Sequence, residues 1–287
     1  MPVWAASSIY LVTWRAHFIH HQEPGAAFRL PRNYLAITLT AMWIDVIDLN
    51  SFYRSRLGRV ARHFVRNAIR EHWPKVDGDV VVGLGYATPY LKQFEGEADR
   101  TLAVMPAHQG VTHWPRGKMN RVTLADEAAL PFPDYSVDRL LVVHALETAE
   151  YLRQMMREAW RVLAPNGRML VVVPARRGFW SRRDVTPFGM GKPYTVGQVH
   201  RLLRETQFDP QQVTRTLYVP PSNLGFMLHS APVWERAGKK WFPRLGGVLL
   251  VEATKQIYSA NPVRRVSKPR LVVVPGAIGA TRAMSED

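Results

Sequence analysis

The chain has 287 residues, 47% of them hydrophobic and 21% charged, which supports one large folded core and excludes disorder for its bulk. Lys and Arg number 38 against 23 Asp and Glu, a formal net charge of +15 that either attracts anionic partners or is simply spread over solvated faces. Cysteine is absent, which excludes disulfides, thiolate catalysis and Cys-ligated zinc.

Residues 1–41 mix isolated aromatics with His20, His21 and the breakers Pro24, Gly25 and Pro31. A short helix around Ser8–Phe18 is the most they predict, and the piece reads as a dispensable extension ahead of Met42. From Asp48 the pattern sharpens. Leu57, Val60, Ala61, Phe64, Val65, Ala68 and Ile69 recur at helical spacing, with Arg56, Arg59, Arg62, Arg66 and Arg70 mainly on the other side. This predicts one amphipathic helix with a basic solvated face, capped by Asp48 or Asn50 and ended before Pro74.

Strand and helix signals then alternate. Val80–Val82 predicts a strand, followed by a glycine turn and a helix with Thr88 as cap and Pro89 in its first position. Leu102–Met105, Val122–Leu124 and Arg139–Val143 predict three more strands, the last nearly all apolar, as a strand covered on both faces should be. A helix over about Ala149–Leu163 is stopped by Ala164-Pro165-Asn166-Gly167 and leads into a strand at Arg168–Val173. Thr195 and Gln198 predict a capping box, and Gln212–Val219 and Gly247–Glu252 predict two late strands that pair. Residues 261–287 read as a loose tail in which Leu271–Val274 adds at most a short contact. Alternation of this kind implies a parallel sheet with right-handed crossovers. No apolar stretch approaches the ~20 residues of a spanning helix. The N-terminus also lacks the pattern of a signal peptide, so a cytoplasmic protein is expected.

Gly83-Leu84-Gly85-Tyr86-Ala87 lies directly after a strand and before a helix, where glycine permits close backbone approach. Such a bend serves a nucleotide pocket or merely tightens a turn. Further on come Asp126-Glu127-Ala128-Ala129-Leu130-Pro131-Phe132-Pro133-Asp134, then Val137-Asp138-Arg139-Leu140-Leu141-Val142-Val143-His144-Ala145-Leu146, then Arg157-Glu158-Ala159-Trp160-Arg161-Val162-Leu163-Ala164-Pro165-Asn166-Gly167-Arg168.

In this order and spacing the segments resemble the type-11 family of S-adenosylmethionine-dependent methyltransferases. The resemblance implies a class I methyltransferase fold: α/β, Rossmann-like and doubly wound, with a mostly parallel sheet and a late antiparallel strand. It implies a domain over residues 42–258, with the extension 1–41 before it and a tail, 259–287, after it. It implies S-adenosylmethionine as cofactor and a small or medium-sized methyl acceptor as substrate. Donor contacts are implied at Gly83, Gly85, Tyr86, Met105, Ala125, Asp126, Glu127 and His144. The glycines would pack on the donor's amino-acid end and Asp126 would accept from the adenine amino group. His144 would floor the pocket and, as a base, help deprotonate an acceptor.

Two positions depart from the family. The acidic residue expected two places before the first glycine is Val81, and the one expected at the end of the second strand is Met105, whose thioether is at best a weak acceptor. Loss of one such charged hydrogen-bond partner costs ~1.5–3 kcal/mol. Asp77 and Asp79 stand nearby at the wrong register. A second reading is therefore open: a methyltransferase-like binding or regulatory protein that no longer methylates.

Two further stretches mix basic and aromatic residues. Arg176–Tyr194, with Phe179, Trp180, Phe188 and Tyr194, follows the fifth strand and is expected over the sheet's carboxyl edge, as a substrate platform or an ordinary connection. Phe226–Leu245, with Trp234, Lys239, Lys240, Trp241 and Phe242, is expected to pack onto the sheet, cover the pocket, meet a partner or rest on an anionic membrane surface. No phosphate-binding loop, His-Glu-x-x-His or Gly-x-Ser-x-Gly occurs, the histidines are scattered without metal-ligand spacing, and no nucleic-acid motif is present.

Overall fold

A computed structural model describes residues 45–182 and 186–256. The readings made on the extension, on the Ser8–Phe18 helix and on the tail with Leu271–Val274 lie outside them. The elements are α1 (Val46–Arg54), α2 (Arg56–His72), β1 (Val80–Gly85), α3 (Thr88–Leu91), β2 (Arg100–Pro106), β3 (Val122–Ala125), β4 (Val137–Val143), α4 (Leu152–Val162) and β5 (Leu163–Pro174). After them come α5 (Pro187–Met190), α6 (Val196–Glu205), β6 (Phe208–Thr216), α7 (Gly225–His229), α8 (Ala231–Trp241) and β7 (Val248–Lys255).

The strands form one sheet in the order β3-β2-β1-β4-β5-β7-β6. Every pairing is parallel except those of β7, which runs antiparallel to β5 and β6. Successive side chains of a strand point to opposite faces, and the apolar runs of β4 and β5 divide accordingly. Leu141, Val143, Leu170 and Val172 pack with α1, α2 and α3, whereas Leu140, Val142, Met169 and Val171 pack with α4 and α6. This is the expected doubly wound α/β fold with its late antiparallel strand.

Several local expectations need correction. The single helix predicted from Asp48 is two, broken at Ser55, whose extended backbone (φ −64°, ψ 165°) closes α1 and opens α2. The caps are Asp45, accepting from Ile47 N, and Ser55, accepting from Gly58 N, not Asp48 or Asn50. Thr88 does not cap α3; it is the first helical residue, behind Ala87, and the helix is a single turn. Ala164–Gly167 does not separate helix from strand. Val137 pairs with Leu163 and Arg139 with Arg168, so these residues form an irregularity inside β5. The strand predicted at Gln212–Val219 begins at Phe208, because pairing with β7 reaches Phe208 opposite Lys255 across a register shift after Pro210. The capping box at Thr195 and Gln198 forms as expected.

Candidate functional site

Registers of Gly85 with Val143 and of Pro106 with Ala125 place the carboxyl ends of β3, β2, β1 and β4 along one rim. There the glycine bend closes on the sheet itself. Gly85 ends β1 at φ +82°, and a Cβ on it would lie 2.3 Å from the Val143 carbonyl oxygen and 2.8 Å from Ala145 Cβ. The next amide, Tyr86 N, donates to the same Val143 oxygen at 2.9 Å. A Cβ on Gly83 would meet Ala87 Cβ at 2.5 Å, against the start of α3. Packing of the chain on itself accounts for both glycines.

Beneath the bend lies a buried hydrogen-bonded relay. Tyr90 donates to the Tyr53 hydroxyl at 2.9 Å, Tyr53 meets His144 Nε2 at 2.8 Å, and His144 Nδ1 meets Glu147 Oε1 at 3.0 Å. With Glu147 as acceptor, Nδ1 carries the proton and Nε2 accepts from Tyr53. The Tyr86 ring stacks on Tyr53 with centroids 5.7 Å apart. Burial, reinforced by Tyr90, pushes the Tyr53 phenol well above its usual value. Burial also lifts Tyr86 to about 12, against the opposing pull of Thr88, Arg116 and Arg54. These hydroxyls therefore stay protonated donors near neutrality.

His144 itself turns the chain at φ +52°, with its side chain wholly enclosed. Its carbonyl accepts from Gln109 Nε2 at 2.8 Å and from Thr148 Oγ1 at 3.1 Å. Gln109 belongs to the short 3-10 turn Ala107–Gln109 after β2. Its side chain thus crosses the end of β1, the strand between β2 and β4. From the other side Phe188 of α5 brings its ring 4.8 Å from that of His144, backed by Trp180 at 5.8 Å.

Of the remaining expected donor contacts some are engaged within the chain, while Glu127 Oε2 is buried without a hydrogen-bond partner among the described residues. Met105 is fully buried in the same core cluster as Val81. Ala125 is half-buried and Asp126 exposed, with its Oδ1 accepting from Ala128 N at 2.8 Å. Glu127 is buried and accepts from Tyr151 N at 2.7 Å. Asp79 pairs with Arg139 at 2.7 Å at the opposite, amino end of the sheet. The topology therefore gathers Gly85, Met105, Ala125 and His144 on one rim. Tyr53, Tyr90 and Gln109 had no motif to mark them, since only tertiary structure brings them to the His144 relay, whereas Glu147 stands three residues from His144 in the chain.

The stretch Arg176–Tyr194 offers no aromatic platform. Trp180 and Phe188 are buried, the Trp180 indole donates to Val219 O at 2.8 Å, and Tyr194 donates to Leu146 O at 3.2 Å, leaving Phe179 exposed. In Phe226–Leu245, α8 packs inward through Ala231, Glu235 and Gly238, while Trp234, Trp241 and Phe242 face outward.

What opens beside the rim is a cleft of about 430 Å³ floored by Tyr53 and Tyr86 and walled by Trp114, Arg54, Arg62, Lys92, Arg116 and Lys118. Glu95, the one lining carboxylate among the described residues, is engaged by Lys118 at 3.5 Å. Arg54, Arg62, Lys92 and Arg116 enter no ion pair among the described residues. Tyr86 is the one expected donor contact that borders this cleft. No cluster of His, Asp and Glu is placed for a metal ion, and no helix is long and apolar enough to cross a membrane, among the described residues.

Residues 79–171 match a family described as "Methyltransferase domain". An uncharacterised protein of Methanocaldococcus jannaschii is 26% identical over 159 residues, 53% of this chain and 73% of the relative. Among solved structures, an S-adenosylmethionine-dependent methyltransferase of Thermotoga maritima is similar with a TM-score of 0.53 at 17% identity, over 74% of this chain and 96% of that one. Another, from Archaeoglobus fulgidus, is similar with a TM-score of 0.51 at 15% identity, over 74% of this chain and 100% of that one. At these identities the structural likeness establishes the fold.

Proposed function

We propose that this chain, which belongs through residues 79–171 to the methyltransferase domain family, serves as a binding protein built on the methyltransferase fold and takes an anionic small molecule in the cleft at Tyr86. Family and fold imply S-adenosylmethionine as the cofactor and a methyl acceptor as the substrate, and taken alone they support methyl transfer. Against that donor, in our reading, stand three features of the rim. A ribose in such folds is held by a carboxylate, and its place here is the enclosed Met105. The close approach that a glycine bend offers a ligand is taken up by Val143 and Ala145. Gln109 and Phe188 close on His144 from the turn after β2 and from α5. No catalytic step is assigned to these residues; the Tyr90–Tyr53–His144–Glu147 relay holds the floor of the cleft together.

The observation that carries the reading is the cleft itself, with four cations that enter no ion pair among the described residues. Cations gathered around a concave space repel one another, and a bound anion relieves that repulsion. A guanidinium meets phosphate or carboxylate with two parallel hydrogen bonds, and the volume suits a small-molecule site. The domain is proposed to run over residues 42–258, in the cytoplasm.

One observation favours the enzyme instead. Among the described residues, Gln109 Oε1, Glu127 Oε2 and Glu147 Oε2 are buried without a hydrogen-bond partner, acceptors of the kind that a donor's ammonium or amino group satisfies. Calorimetric titration of the purified chain separates the two readings. Pyrophosphate should bind and should lose that binding in Arg54→Ala/Arg116→Ala. S-adenosylmethionine and its demethylated product should give no heat at concentrations on the order of hundreds of micromolar. Saturable donor binding would overturn the proposal in favour of a methyltransferase.

A further inference from the structure

Residues 224–244 turn large apolar side chains to solvent. Leu224 is 58% exposed, Phe226 67%, Val233 57%, Trp234 42%, Trp241 67% and Phe242 57%. On α8, Trp234 and Trp241 are two turns apart and, with Val233, form a stripe beside rather than on the buried face. An amphipathic helix ordinarily hides its apolar stripe. Here the hidden face consists of Ala231, Glu235 and Gly238, and Gly238 lies so close to Tyr218 that a Cβ would stand 2.3 Å from its side chain.

The charge of this segment is equally one-sided. Its one carboxylate, Glu235, is buried and accepts from Thr216 Oγ1 at 2.6 Å, Leu217 N at 3.2 Å and Tyr218 N at 2.9 Å. Arg236, Lys239, Lys240 and Arg244 are left at the surface, Lys239 reaching Glu71 of α2 at 3.8 Å. Between α2 and α7 runs an apolar groove of about 570 Å³, lined by Val60, Phe64 and Leu228, with Arg56 and Arg59 also on its walls.

We propose that this face docks the protein on an anionic lipid bilayer. The aromatic and aliphatic side chains would enter the acyl boundary, while the flanking Lys and Arg remain among the headgroups. Charge complementarity selects that occupant. The chain carries +15, and a second copy seated here would bring the same basic rim against itself. The expected cytoplasmic placement faces the anionic leaflet, to which each cation near the surface adds attraction. Such docking needs no spanning helix and does not depend on what the Tyr86 cleft binds.

Co-sedimentation of the full chain tests this with vesicles of phosphatidylcholine alone and of phosphatidylcholine mixed with phosphatidylglycerol. The chain should sediment with the mixed vesicles only, and high salt should release it. Trp234→Ser/Trp241→Ser and Lys240→Glu/Arg244→Glu should each weaken binding roughly ten-fold or more while leaving the melting temperature unchanged, since all four side chains are exposed. Brominated lipid should quench the tryptophan fluorescence of the unaltered protein, a reading that needs no variant. Failure to bind mixed vesicles overturns the proposal, as does equal binding by the variants. A concentration-dependent dimer abolished by the tryptophan variant would overturn it too, assigning the face to a second copy.

Discussion

The side-chain amide of Gln109 reaches the carbonyl of His144 across 2.8 Å, tying the turn after β2 to the end of β4 over the strand between them. In open α/β sheets that place is where ligands enter. Gln109→Ala should lower stability by about 1–2 kcal/mol, since the His144 carbonyl keeps its bond from Thr148. Urea unfolding measures this; an unchanged midpoint would show that the tie contributes nothing.

Met105→Asp discriminates between a closed and an open rim. Placed in an enclosed apolar site, the new carboxylate should destabilise by ~3 kcal/mol or more. S-adenosylmethionine should not restore the melting temperature. In an open ribose seat the same substitution would be tolerated and the donor would raise the melting temperature.

Two left-handed glycines allow the packing at the bend to be isolated. Gly78 has φ +76° with no atom near a prospective Cβ, whereas Gly85 has φ +82° with the Val143 oxygen at 2.3 Å. Gly78→Ala should therefore cost only the ~1–2 kcal/mol of backbone strain. Gly85→Ala should cost ~3 kcal/mol or more, because backbone must also move. Equal losses in chemical denaturation would mean that the bend is not closed by β4.

Glu158 supplies a pH dependence. Hydrogen bonding from Arg161, opposed by burial and aided by the Leu130 amide, holds its carboxyl below the usual carboxylate value. A carboxyl depressed in the folded state stabilises above its unfolded value, and that contribution is lost as pH falls through the folded value. Arg161 also donates to Phe132 O and Leu130 O, so the pair fixes the 130–134 loop. Glu158→Gln should cost about 1–3 kcal/mol near neutrality, and the difference from the unaltered protein should narrow in acid. Urea midpoints at neutral and acid pH check the sign.

The fold was legible where a residue's surroundings follow from its own neighbourhood. β4 and β5 are covered on both faces and read as apolar runs, and Thr195 with Gln198 makes its cap within one turn. The break at Ser55 was not legible, because Leu49 and Tyr53 before it and Leu57 and Ala61 after it continue one helical spacing. The glycine bend and Asp126 could be found as motifs, and the missing carboxylates at Val81 and Met105 were visible. The closing of the rim could not be read, because the groups that fill it arrive from afar. Gln109 lies 35 residues from His144 and Tyr53 lies 91, and nothing local to either announces the meeting.

Trp180 sets how often that rim can open. Its indole is fully enclosed and hydrogen-bonded to Val219, its ring supports Phe188, and Gly247 lies so near that a Cβ there would come 2.3 Å from the ring. Lifting such a side chain forfeits packing worth ~3–5 kcal/mol, so an open form would account for between roughly one molecule in a hundred and one in several thousand. Any ligand that selects the open form would have its apparent affinity weakened by that same scarcity.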